Sequence, residues 1–331
     1  KSNFKKLKFL GTISFRDPIR PGAREAIEKV GRAGVRTVIV TGDHRGTAEA
    51  VARELGFHID RDEVIDGAEL DAMSDEELKK KLPILKIVAR VSPEGKLRVA
   101  KAFKEIGEVV AMTGDGINDA ASLKEANIGI AMGSGTDVAK DVSDLILLDD
   151  NFATIVTAIE EGRRILANIR KVIVYLFSSL FDELILIGGS IIFGLALPLN
   201  AIQILFVNFI VDSFPAISLA FEDHVDYLTE KRKKTPVNLL DKEMSFLTLA
   251  IGIPTSALLF GIYYYLTARN FDPALVKTFI FAAFSSYSLF LIFSVRSLRK
   301  PIFNYNPFSN PFLLAGVTLG LASVLAVVYW P

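Results

Sequence analysis

At 331 residues the chain is long enough for two domains. Half of it is hydrophobic, and 38 Lys and Arg offset 38 Asp and Glu, a net charge of zero that argues against a nucleic-acid binder. The absence of Cys excludes disulfides and thiolate metal sites, and the three His, at 44, 58 and 224, have no metal-site spacing.

The average hides a division. Before about Asn168 the chain is rich in Lys, Glu, Asp and Arg; after it the chain is mostly apolar, with charges gathered into short clusters. This predicts a soluble domain followed by a membrane domain. The chain begins with Lys1 and shows no signal-peptide pattern, so it reads as a piece of something longer.

Partial alternation over residues 7–15 predicts a strand, broken by Asp17-Pro18-Ile19-Arg20-Pro21-Gly22. Residues 23–33 have helical spacing, with Ala26, Ile27 and Val30 on one face. A second strand over 35–40 ends in Thr41-Gly42-Asp43, and a helix over 47–55 is closed by Gly56. Thr41-Gly42-Asp43 can offer a hydroxyl and a backbone N–H to a phosphate oxygen, although a helix cap is the more common use of such a triplet. Residues 66–81 run from acidic to basic and predict a solvated helix without chemistry. A short strand over 87–90 precedes Ser92-Pro93-Glu94-Gly95-Lys96, which opens another helix. Further strands are predicted over 109–112, 127–132 and 145–148. Strands alternating with helices predict a parallel sheet with helices on its faces.

The most informative stretch is Met112-Thr113-Gly114-Asp115-Gly116-Ile117-Asn118-Asp119-Ala120. Glycines on both sides of Asp115 allow a sharp turn. Two carboxylates and the Asn118 amide then stand at the carboxyl end of a strand, where open α/β sheets bind ligands. Acidic oxygens on a rigid turn suit Mg²⁺, and Mg²⁺ suits a phosphate. A turn whose polar residues only cap a helix is the plainer alternative.

Thr113-Gly114-Asp115-Gly116-Ile117-Asn118-Asp119 resembles the hinge motif of the P-type ATPases, pumps that pass through an aspartyl-phosphate. The likeness continues through Gly129-Ile130-Ala131-Met132-Gly133-Ser134-Gly135-Thr136 and Asp149-Asp150-Asn151-Phe152, and covers essentially the whole chain. It is closest to the P2 branch of calcium, sodium/potassium and related cation pumps. The resemblance implies an α/β haloacid-dehalogenase-like (Rossmann-like) phosphorylation domain followed by an α-helical transmembrane domain. Residues 1–151 would be the C-terminal part of that phosphorylation domain, 152–171 a stalk helix, and 172–331 a membrane domain of about five helices resembling spans five to nine. It also implies ATP and Mg²⁺ as cofactors. Thr41, Lys96, Asp115, Asn118 and Asp119 take catalytic roles, with Lys96 neutralising the transferred phosphoryl group and Asp115 on Mg²⁺. Gly42, Asp43, Arg90 and Lys96 lie near the nucleotide or its phosphate, and the Asp-Pro turn lies beside that site.

The family's phosphorylated Asp-Lys-Thr-Gly-Thr, actuator Thr-Gly-Glu-Ser and nucleotide-domain Lys-Gly-Ala do not occur here. The chain as written lacks the nucleophile and its strand and is expected to be inactive alone. Its expected partners are the N-terminal half of a pump (actuator domain, nucleotide domain and spans one to four), ATP, the transported cation and a lipid bilayer, with no nucleic acid.

Apolar runs near the roughly 20 residues that span a bilayer are placed at about 172–195, 198–221, 246–268, 274–295 and 311–329. Basic clusters at Arg170-Lys171, Lys231-Arg232-Lys233-Lys234 and Arg296, Arg299 and Lys300 fall on one side, which the positive-inside rule makes cytoplasmic, the side of the soluble domain. Tyr329-Trp330 then anchors the far side. A multi-pass protein of a plasma membrane or bacterial inner membrane is expected.

Ionisable groups inside spans are costly and by default functional. The first span carries Asp182 and Glu183, the second Asn208 and Asp212 followed by the helix-breaking Pro215. Pairing with other helices for structure alone is the alternative. By resemblance Glu183 and Asp212 match two cation-ligating acids and Asn208 a ligating amide. Leu180 and Val211 stand where the calcium pattern has Asn and Thr, and Asp182 is an added carboxylate at the edge of the site. Ca²⁺ is the first expectation for the ion. A Na⁺/K⁺ or proton pump, or a dehalogenase-type phosphatase with a membrane anchor, is the alternative.

Overall fold

The computed structural model describes residues 8–13, 18–222, 239–298, 304 and 306–330. They form two compact units, one up to Ile159 and one from Glu160 onward, each with its own core.

The first unit is α/β. Strands β1 (Ile39–Val40), β2 (Val64–Asp66) and β3 (Ile87–Ala89) make one parallel sheet in the order β1-β3-β2. Strands β4 (Ala111–Gly114), β5 (Ile128–Met132) and β6 (Leu145–Leu147) make a second, in chain order. The registers Val40↔Val88, Ile65↔Val88, Thr113↔Ile130 and Ile130↔Leu145 bring the carboxyl ends of neighbouring strands together. β3 is buried along its whole length, which is why Ile87-Val88-Ala89 is a continuous apolar run without alternation. Among the described residues β1 pairs only with β3 and β4 only with β5, so each carries one edge without a neighbour.

Helices α1 (Ala23–Arg32), α2 (Arg45–Glu54), α3 (Gly67–Ala72), α4 (Asp75–Lys81), α5 (Pro93–Glu105), α6 (Ala120–Glu125) and α7 (Asp137–Val142) complete this unit. α5 begins after Ser92, whose hydroxyl accepts from Gly95 N at 3.1 Å, with Pro93 in the first turn. Its apolar face buries Val99, Ala102 and Phe103 against Ile65, Leu70 and Val88.

Several elements differ from their sequence expectation. Residues 8–13 are irregular, and Phe9, Leu10 and Ile13 are exposed. Their alternation finds no strand to pair with among the described residues; 14–17, and with them Asp17, lie outside those residues. Only Ile39–Val40 of the run 35–40 is a strand. The helix expected over 66–81 is two helices. Asp66 and Glu69 form one capping box and Ser74 and Glu77 a second, so the chain stops and restarts at Met73-Ser74. Leu70 and Leu78 are buried, so the pair is not merely solvated. α2 starts earlier than expected because His44 Nδ1 accepts from Gly46 N at 3.3 Å. β2 and α7 are additional to the expected elements.

The second unit is helical. α8 (Ala153–Ile192), the segment Ala201–Phe221, α11 (Lys242–Ala268), α12 (Pro273–Val295) and α13 (Pro311–Tyr329) are five helices long and apolar enough to cross a membrane. The segment Ala201–Phe221 is not uniform. α9 (Ala201–Phe206) passes through a π-helical turn, Val207–Val211, into α10 (Ser213–Ser218) and a last 3₁₀ turn, Leu219–Phe221. Asp212 N donates to Val207 O, five residues back, at 2.9 Å. Pro215 has no N–H to offer, and the Ser213 hydroxyl donates to Asn208 O at 3.0 Å.

Four helices are tied at one buried point. Glu222 accepts from Arg296 Nε at 2.9 Å, Arg296 Nη2 at 2.6 Å and Asn310 Nδ2 at 3.1 Å. Asn168 Nδ2 of α8 donates to Glu222 O at 3.1 Å. Of the basic clusters used to assign orientation, Lys231 to Lys234, Arg299 and Lys300 lie outside the described residues; Arg296 is in this network.

Candidate functional sites

Two sets of polar side chains gather, one in each unit. In the α/β unit the loops after β1 and β3 are laced by their backbones: Arg90 N donates to Asp43 O at 2.9 Å and Val91 N to Thr41 O at 3.1 Å. Thr41 Oγ1 accepts from Asp43 N at 3.1 Å, closing the Thr41-Gly42-Asp43 turn. Arg90 has a left-handed backbone, φ 51°, and its carbonyl oxygen lies where a Cβ on Gly67 would approach to 2.3 Å. Glycine is therefore required at 67.

The loop after β4 holds the second group. A Cβ on Gly114 would lie 2.6 Å from Asp119 Cβ, so Gly114 lets the Asp119 side chain fold back under the turn. Asp119 is buried and accepts from Lys96 Nζ at 2.6 Å, whereas Asp115 and Asn118 are exposed. Lys96 stands in the first turn of α5. The ion pair therefore bridges the helix that follows one sheet to the turn that follows the other.

A third segment supports the turn from behind. Thr136 N donates to Asp115 O at 2.8 Å, and a Cβ on Gly135 would meet Asp115 O at 2.9 Å. Ser134 N donates to Asp150 Oδ1 at 2.9 Å, and Arg20 Nη1 donates to Asp150 O at 2.6 Å. The Ser134 backbone N–H holds the Asp150 carboxyl below the usual carboxylate range, helped by the Ser134 hydroxyl and by Arg20. Thr154 does the same for Asp149 through a 2.7 Å bond from its hydroxyl. Asn151 Oδ1 then accepts from Ala153 N at 2.9 Å and starts α8.

In the helical unit α8 presents two stripes. Tyr175, Ser179 and Glu183, four residues apart, meet the segment 201–221. Tyr175 OH donates to Asp212 Oδ1 at 3.1 Å, Ser179 Oγ donates to Asp212 Oδ2 at 2.7 Å, and Ser288 Oγ of α12 also donates to Asp212 Oδ1. Glu183 Oε1 accepts from Asn208 Nδ2 at 2.9 Å. Asp182, on the other stripe, meets Thr255 and Ser256 of α11. The structure thus joins Glu183 to Asn208, gives Asp212 its own hydroxyl cage, and places Asp182 with a different helix. Val211 is fully buried and Leu180 is half exposed. Among the described residues no three Asp, Glu or His side chains gather closely enough to hold a metal by themselves.

Profiles of known families match both units. "Haloacid dehalogenase-like hydrolase" covers residues 2–127 and "Cation transporting ATPase, C-terminus" covers residues 196–331. Calcium-transporting ATPase 1 of Bacillus cereus is 40% identical over 342 residues, covering 98% of this chain and 38% of that protein. The chain belongs to the P-type cation-transporting ATPases. Calcium-transporting ATPase of Bacillus subtilis is 40% identical over 333 residues, covering 99% of this chain and 37% of that protein. A solved structure of the catalytic domain of the CPx-ATPase CopB-B is 28% identical, with a TM-score of 0.33 over 42% of this chain and 44% of that one. This P-type ATPase chain thus spans less than two fifths of the length of these two curated relatives. With five helices able to cross a bilayer, it is a multi-pass membrane protein.

The sequence reading of this P-type ATPase passed over Tyr175, Ser179, Thr255, Ser256 and Ser288. Tyr175 and Ser179 could have been found from their spacing of four before Glu183. Ser288, Thr255 and Ser256 sit on apolar helices with no periodic signal, and only the fold brings them to a carboxylate.

Proposed function

We propose that this chain supplies part of the phosphorylation domain and five membrane helices of a pump that drives Ca²⁺ across a membrane through an aspartyl-phosphate. The observation that carries this reading is the presence in one chain of the Lys96–Asp119 pair at the carboxyl ends of a parallel fold and of Glu183, Asn208 and Asp212 on two apolar helices. A phosphatase with a membrane anchor has no use for the second set. The names of the curated relatives favour Ca²⁺, and two acids with one amide match the charge of one divalent cation.

The nucleophilic aspartate would come on a strand supplied by the rest of the pump. Among the described residues β1 and β4 each have an edge without a neighbour, which supports this, because a parallel strand needs neighbours and covered faces. Thr41-Gly42-Asp43, Lys96 and Asp115 all follow strand ends or open a helix after one, so they would surround a phosphoryl group carried there. Lys96 stabilises charge developing on that group, and Asp119 fixes the direction of its ammonium. Asp115 and Asn118 offer exposed hard oxygens that fit Mg²⁺. When bound, Mg²⁺ would neutralise phosphate oxygens. Arg90, Gly42 and Asp43 lie where ATP or its phosphates would approach. The soluble unit is cytoplasmic in this reading, and residues 152–171 form the stalk.

The test is the complete pump containing this chain, reconstituted in vesicles. ATP should drive uptake of radiolabelled Ca²⁺ and form an alkali-labile acyl-phosphate only when Ca²⁺ is present. Uptake without an acyl-phosphate, or an acyl-phosphate that responds to Na⁺ or pH and not to Ca²⁺, would overturn the mechanism or the ion respectively.

A further inference from the structure

A second polar seam runs between α8 and α11. Ser178 and Asp182 are four residues apart on α8 and share a face; Thr248, Gly252 and Ser256 repeat the same spacing on α11. The two helices approach closely: a Cβ on Gly252 would lie 3.1 Å from Phe181 Cβ and 3.4 Å from Ser178 O. Asp182 Oδ1 accepts from Ser256 Oγ at 2.7 Å and from Thr255 Oγ1 at 3.3 Å. Asp182 is 1% exposed and Ser178 0%, and Asp182 Oδ2, Ser178 Oγ and Thr248 Oγ1 are buried with no hydrogen-bond partner. A buried carboxylate oxygen with nothing to answer it is expensive in a membrane helix.

The hydroxyls beside it can turn into ligands. Ser256 Oγ lies 2.5 Å from Gly252 O, and Thr255 Oγ1 lies 2.8 Å from Ile251 O. Each hydroxyl has one hydrogen. Given to the helix carbonyl, that hydrogen leaves the oxygen lone pairs facing Asp182. One carboxylate among neutral oxygens balances one positive charge, not two. Adjacent helix positions diverge by about 100°, and Glu183 is engaged with Asn208, so the seam is separate from the Glu183–Asn208–Asp212 set.

We propose that Asp182, Ser178, Thr255 and Ser256 form a second cation site between α8 and α11 that takes one alkali-metal cation. The proposal rests on the pump reading for its role in transport, and not for the binding itself. The experiment uses the complete pump in detergent, with Na⁺, K⁺ or N-methyl-D-glucamine as the only monovalent cation. Two readouts are taken: the thermal unfolding midpoint, and the rate of phosphoenzyme decay after Ca²⁺-dependent phosphorylation.

Na⁺ or K⁺ should raise the midpoint and change the decay rate by about fivefold or more. Both responses should vanish in Asp182→Asn and shrink in Ser256→Ala, while the midpoint response survives in Glu183→Gln. A wild-type midpoint indifferent to Na⁺ and K⁺, or a response unchanged in Asp182→Asn, would overturn the site. Loss of the midpoint response in Glu183→Gln as well would merge Asp182 with the first site and overturn its separateness. A midpoint response without any Ca²⁺-dependent phosphorylation would keep the site and remove the calcium-pump reading instead.

Discussion

Lys96 Nζ and Asp119 Oδ1 lie 2.6 Å apart with both side chains largely shielded, joining the first turn of α5 to the turn after β4. If Lys96 answers phosphoryl charge and Asp119 aims it, the two act as one unit. Lys96→Ala in the complete pump should slow phosphorylation by ATP about 100-fold or more, the usual cost of one lost electrostatic donor. The double variant with Asp119→Asn should be no slower than Lys96→Ala alone. Rapid-quench phosphorylation of the four proteins checks this; additive losses would separate the two roles.

The second expectation concerns backbone room. A Cβ at Gly135 would meet Asp115 O at 2.9 Å and Met132 O at 3.0 Å, while one at Gly116 would find nothing nearer than 3.8 Å. Both contacts at 135 are backbone and cannot swing away. Gly135→Ala should cost about 1–3 kcal/mol and shift the Mg²⁺ requirement of phosphorylation. Gly116→Ala, at φ −109°, should stay within about 0.5 kcal/mol of the parent. Thermal unfolding and Mg²⁺ titration of the two variants give the comparison.

A third expectation follows from Glu222 and Arg296, whose side chains are 4% and 2% exposed. Removing one partner leaves a buried charge, so Glu222→Gln or Arg296→Met should each destabilise by about 3–5 kcal/mol. The double change to Met at both positions should recover much of that loss, because neither charge remains to be desolvated. Detergent-solubilised yield and unfolding midpoint measure it.

In the membrane, Asp212 is held by Tyr175, Ser179 and Ser288. Asp212→Asn and Glu183→Gln should each abolish cation-dependent phosphorylation by ATP and spare phosphorylation by inorganic phosphate. Tyr175→Phe removes one hydrogen bond, about 1 kcal/mol. It should raise the cation concentration for half-phosphorylation about fivefold without abolishing the response.

A pH dependence attaches to Asp150. Its carboxyl is held low in the folded protein by Ser134, so the folded state binds the proton less readily than the unfolded one. The stabilisation is therefore complete above about pH 4, the ordinary aspartate value, and is lost as pH falls through the depressed value. Unfolding midpoints of the parent and of Asp150→Asn should differ at about pH 6 and draw together as pH falls below about 4. A gap that widens on acidification would contradict the assignment.

Much of this was legible in the residues. The turn after β4 could be read because glycines flank Asp115 where an apolar run ends, and the spans could be read because twenty apolar residues have few other uses. Boundaries were less legible where a cap outvoted the hydrophobic pattern, as Ser74 did inside 66–81. The Lys96–Asp119 bond crosses 23 positions of sequence, and no local pattern announces it. The hydroxyls around Asp212 and Asp182 were hidden for a related reason: a Ser on an apolar helix looks like a tolerated small residue until its neighbour is known.

Among the described residues β4 has one edge without a neighbour, and this has a practical consequence. A row of strand N–H and C=O groups without a neighbour can be completed by any extended chain, and Val109 just before β4 is 55% exposed. Left uncovered, that edge should let the chain self-associate. A strand seated on it would thus serve also as a guard against aggregation during synthesis.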